Sequence, residues 1–178
     1  MESVKQQQYL NHLVMKHAVF LSRLHKLKPE LYGSLTHYIA NYKDLLSNSD
    51  MAKHIDEVFT FLPQTTETIT LYKGVSQESS ILPTAGFVSV SRSKDVALAQ
   101  GGALVVFNVP SGSTVLCVDS VSQTSASKQE VLIDRNSKFI VTLIERGTNQ
   151  TPDTFNIVCL PPDTVTMKSF ELGVLTQD

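Results

Sequence analysis

The sequence predicts an α+β fold, with a helical N-terminal part followed by two β-sheets that the helices cover as a layer. Three observations predict it. Apolar residues recur at three-four spacing through the first third, the period falls to two from Thr68 onward, and one short helical stretch interrupts the strands. Helices first and strands afterwards argue against alternating βαβ units.

The first helix is read from Leu10, Leu13, Val14, His17, Phe20, Leu21, Leu24 and Leu27, a single stripe that leaves most of the cations outside it. Pro29 ends it. Leu31, Leu35, Tyr38, Ile39, Tyr42, Leu45 and Leu46 mark a second helix that stops at the turn-rich SNSD. Met51, Ile55, Val58, Phe59 and Leu62 mark a third, closed by Pro63, with Ser49 or Asp50 as its cap. Eight short strands follow, at 68–73, 86–91, 103–109, 114–118, 129–133, 138–145, 154–160 and 164–170, each rich in β-branched and aromatic residues. Residues 93–100 interrupt them as a helix capped by Ser93. Residues 119–128, DSVSQTSASK, are small and polar and read as a loop.

At 178 residues the chain is long enough for one domain with a sizeable core. We divide it into a helical arm, 1–30, and a main domain, 31–178. Its 42% apolar and 18% charged residues exclude collagen-like and disordered classes. No apolar run approaches the ~20 residues of a membrane span, and the N-terminal MESVKQQQYLNHLV is polar where a signal peptide is apolar. The expected site of action is the cytoplasm, either the chain's own or that of a target cell into which it is delivered. Cys117 and Cys159 sit in apolar runs without CxxC or His at ligand spacing, which points to buried thiols and no metal site.

The net charge of -2 is uneven: the arm carries five cations and two anions, the remainder 10 basic and 15 acidic groups. A basic helix face suffices to explain the arm, and nothing in this pattern demands nucleic acid.

The commoner catalytic motifs, GxSxG, GK[ST], HExxH and GxGxxG, are missing, and no His lies near either Cys in sequence. Three polar signals at strand ends remain. Lys73 closes an apolar strand and Gly74 follows it. Ser89 and Ser91 share one face of a strand, with Arg92 next. Lys128-Gln129-Glu130 carries a carboxylate into an apolar strand straight after the loop.

This order resembles the arginine-type ADP-ribosyltransferases, whose plan is Arg, then Ser-x-Ser, then Glu-x-Glu. LYKGV at 71–75 is similar to the family's LYRGV, GFVSVSRSKDVALA to its GFxSTS segment, and SKQEVLIDRNSKFIV to its ExEVL stretch. The resemblance runs from about Leu35 to Glu145. It implies two perpendicular β-sheets, NAD bound between them as substrate, no metal, and transfer of ADP-ribose to a protein or other macromolecule with nicotinamide released. By position it implies that Lys73 anchors the dinucleotide, Gly74 offers backbone contacts to the nicotinamide amide, and Ser89 hydrogen-bonds Glu130. Ser91 supports the site wall, and Glu130 grips the ribose and faces its developing positive charge. Arg92, on charge alone, is expected at phosphate or acceptor. Lys128 and Gln129 fall on the acceptor side.

Two departures stand out. Lys73 replaces the family's Arg, which keeps the charge but loses the bidentate fork. Lys128 replaces the first Glu, which disfavours an arginine acceptor by like-charge repulsion. Hydrolysis of NAD, or a degenerate binding module, are the alternatives that follow.

Overall fold

The computed structural model describes residues 4–41, 49–76 and 87–160. Three helices come first: α1 (Val4–Leu27), α2 (Pro29–Ala40) and α3 (Ser49–Thr60). Pro29 stands in the first turn of α2, where its missing N–H costs nothing, so it separates two helices while opening the second. The expected continuation of α2 through Tyr42, Leu45 and Leu46, and the strand at 164–170, lie outside the described residues.

Among the described residues seven strands follow: β1 (Ile69–Val75), β2 (Val88–Ser91), β3 (Ala103–Val109), β4 (Val115–Cys117), β5 (Glu130–Ile133), β6 (Lys138–Glu145) and β7 (Asp153–Leu160). Between β2 and β3 lies α4 (Lys94–Leu98). Ser93 caps it as the sequence predicts, its hydroxyl accepting from the Val96 N–H at 3.2 Å.

The expected pair of sheets is met by one hydrogen-bonded sheet in the order β4-β5-β2-β1-β3-β7-β6, antiparallel except for β3 beside β7. Its middle is narrow. The group β4-β5-β2 joins the group β1-β3-β7-β6 through a single residue pair, Tyr72↔Ser91, whereas β1 and β3 pair over seven residues. The two groups are therefore one ladder with a waist, which sequence periodicity has no means of revealing.

Residues 119–128 are also not a loop. They form a 3-10 turn (Asp119–Val121) and a short helix, α5 (Gln123–Ser127), capped by Ser122, whose hydroxyl accepts from the Ser125 N–H at 3.1 Å. Serine-rich composition favours both turns and caps, and here the caps win.

Strand alternation divides the core. Leu116 and Leu132 join Phe20, Leu24, Leu35 and Ile55 under the helices, while Cys117, Val131 and Ile133 join Leu71, Val105 and Ile157 in a second cluster. The helix α1 contributes to both, with Leu10 and Leu13 in the second and Phe20, Leu21 and Leu24 in the first. No described helix is long and apolar enough to cross a membrane.

Candidate functional site

Glu130 opens β5 as a buried carboxylate, 2% exposed. A charge at such a depth is costly unless its oxygens are satisfied. Both are. Ser89 Oγ donates to Oε2 at 2.5 Å, and Ser125 Oγ donates to Oε1 at 2.9 Å. The serine of β2 arrives through the register that pairs Ser89 with Leu132 and Ser91 with Glu130. The serine of α5 arrives because the Ser122 cap fixes that helical turn five residues ahead of the carboxylate. Ser122 Oγ also reaches Ser125 Oγ at 3.2 Å, so a chain of hydroxyls ends on Glu130.

The link from α5 to β5 is tight. Gln129 adopts φ +47°, a left-handed conformation that a side chain other than glycine takes at some cost. The Gln129 amide donates to Ala126 O at 3.1 Å, and its carbonyl accepts from the Arg92 amide at 3.0 Å. This reversal directs Glu130 inward while Lys128, two residues earlier, stays exposed.

A pocket of about 50 Å³ joins these groups to β1, lined by Lys73, Ser89, Ser91, Lys128 and Glu130 together with Tyr72 and Gln100. Lys73 is half-buried, burial lowers its pKa from the usual lysine value, and it forms no ion pair among the described residues. Ser91 Oγ donates to Lys128 O at 2.7 Å and accepts from the Ser93 N–H at 3.0 Å, which braces the wall between β2 and the end of α5. On the helical side, Tyr38 Oη donates to Phe87 O at 2.7 Å; burial, reinforced by the charge of Glu130, pushes its pKa up to about 12.

Two expected residues are not among those that line this pocket. The Arg92 guanidinium is held bidentately by Asp119, at 2.5 and 2.9 Å, and does not line the pocket, so it ties the end of β2 to the 3-10 turn. Gly74 also meets a packing constraint. A Cβ there would lie 1.9 Å from Ala97 O, so α4 rests on bare backbone of β1. Three lining or supporting residues, Ser125, Tyr72 and Gln100, escaped the sequence reading; the signal for Ser125 was a Ser-x-x-Ser cap pattern directly ahead of the carboxylate.

Residues 76–158 match the ADP-ribosyltransferase exoenzyme family model. The resemblance read from the motifs is thereby borne out, and the solved structures extend it to the fold. The Clostridium limosum C3 exoenzyme superposes with a TM-score of 0.68 at 19% identity, covering 89% of this chain and 96% of that one. Plx2a, an ADP-ribosyltransferase toxin of Paenibacillus larvae, gives 0.66 at 16%, covering 88% and 97%. C3stau2 of S. aureus, solved with NAD, gives 0.56 at 12%, covering 90% and 97%. A search of curated proteins finds no match. Helices leading into a mixed seven-stranded sheet are thus the ADP-ribosyltransferase fold. Among the described residues no group of three His, Cys, Asp or Glu could hold a metal ion.

Proposed function

We propose that this chain cleaves NAD and transfers its ADP-ribose to a macromolecular acceptor. The observation that carries the reading is Glu130: a carboxylate buried at the pocket wall, fixed through both oxygens, with a half-buried lysine lining the same pocket. Pre-oriented charge of this kind stabilises a transition state because no reorganisation is needed when the cation forms.

In the proposed step the bond from the ribose anomeric carbon to the nicotinamide nitrogen breaks, and the electron pair leaves with nicotinamide. Positive charge spreads over the ribose as an oxocarbenium-like species, opposite Glu130. An acceptor nucleophile then bonds to that carbon and gives up its proton to water. Lys73 anchors the pyrophosphate, whose negative charge supplies the ion pair the lysine lacks among the described residues. Ser89 and Ser125 hold the carboxylate, and Ser91 braces the wall. Incubating the protein with labelled NAD and a cell lysate tests this: proteins become labelled, and Glu130→Ala abolishes the label.

Lys128 favours a second reading, in which water is the acceptor. It is an exposed cation on the pocket rim, where the family plan has a carboxylate. Under that reading free nicotinamide accumulates without labelled protein, and Lys128→Glu restores transfer. A chain that neither consumes NAD nor gains thermal stability from it would be a binding module instead.

A further inference from the structure

A second cavity, of about 290 Å³, opens between α1 and the segment leading from α3 to β1. It shares no lining residue with the pocket around Glu130. Its volume falls at the lower edge of the ~300–1,000 Å³ typical of small-molecule sites. Leu13, Phe20 and Leu62 form an apolar wall. His12, Lys16 and His17 line it too, on one side of α1, and no acidic residue does. Neither His12 nor Lys16 forms an ion pair among the described residues.

His17 defines what polar group the cavity accepts. Its Nδ1 accepts the Cys117 N–H at 2.9 Å, so the proton of the neutral ring sits on Nε2. Burial, with the nearby charges of Lys16 and His12, holds its pKa down at about 4, and the ring is neutral at physiological pH. The side chain is 4% exposed and stands in the cavity wall. Among the described residues nothing accepts from Nε2–H, and it is not among the sealed, partnerless atoms of the structure. A fixed donor in the cavity wall therefore stands with an apolar wall and with an ammonium that forms no ion pair among the described residues.

We propose that this cavity binds a small free carboxylate with a compact apolar body, of the aromatic or branched-chain acid class. The carboxylate lies between the Lys16 ammonium and His17 Nε2–H, and the body packs on Leu13, Phe20 and Leu62. The acid is favoured over an amine by the absence of any lining carboxylate, and over a plain hydrocarbon by the His17 donor, which such a ligand would leave unmade.

Benzoate is the probe, with benzylamine and toluene as controls of equal bulk, titrated calorimetrically into the full chain. Benzoate binds saturably and shifts the His17 ring NMR signals, while benzylamine does neither. Lys16→Glu weakens benzoate at least tenfold, and Lys16→Arg stays within about threefold, since a single ion pair is worth roughly one decade here. No saturable binding up to about 10 mM, equal binding of benzylamine, or unchanged affinity in Lys16→Glu overturns the proposal. Both variants change a half-exposed helix position to a good helix former, and their melting curves check that α1 is intact.

Discussion

Glu130 is held by two hydroxyls from different elements, which makes their contributions separable. Glu130→Gln keeps the shape and removes the charge, so NAD-dependent labelling falls by on the order of 100-fold or more while the melting temperature stays close to that of the parent. Ser89→Ala and Ser125→Ala each lower the rate, and because both act on one carboxylate, the double change costs less than the product of the two losses. Single-turnover labelling of the four proteins measures this. His17 carries a different expectation. Its folded pKa of about 4 lies below the ordinary 6.5, so it contributes stability above pH 6.5 that is lost as pH falls toward 4. The shift corresponds to on the order of 3 kcal/mol. Urea melts across that pH range show the decline, and His17→Gln flattens it. At this scale the sequence displayed Lys73, Ser89, Ser91 and Glu130 through family order and strand parity. It could not display Arg92 turning to Asp119, because that choice depends on where the 3-10 turn lands in space.

Among elements, α4 and β1 meet through glycine. A Cβ on Gly74 would lie 1.9 Å from Ala97 O, and one on Gly101 2.6 Å from the Val75 backbone. Gly74→Ala therefore forces α4 off the strand and costs roughly 1–3 kcal/mol or more, whereas Gly102→Ala, with nothing within 4 Å of its Cβ, is near neutral. Equilibrium denaturation of the pair decides it. Strands β3 and β6 matched their expected limits because β-branched runs flanked by turn residues leave little choice. The α5 segment misled for the opposite reason. Its serines have low helix propensity, and only the Ser122 cap together with burial of Ser125 against Glu130 makes a helical turn preferable there.

For the whole molecule, the succession of helices and then strands was readable because periods of 3.6 and 2 are local properties. Strand order was not, since it depends on which edges meet after collapse. The two charges of the candidate site come from opposite sides of the waist: Lys73 from the group containing β1, Glu130 from the group containing β5. Amide hydrogen exchange is expected to be faster at those β1 amides that face β2 than at those that face β3.

A seam of one residue pair is expected to yield before either ladder does. A slight shear across Tyr72 and Ser91 would then change the spacing of Lys73 and Glu130 while both halves keep their own pairing.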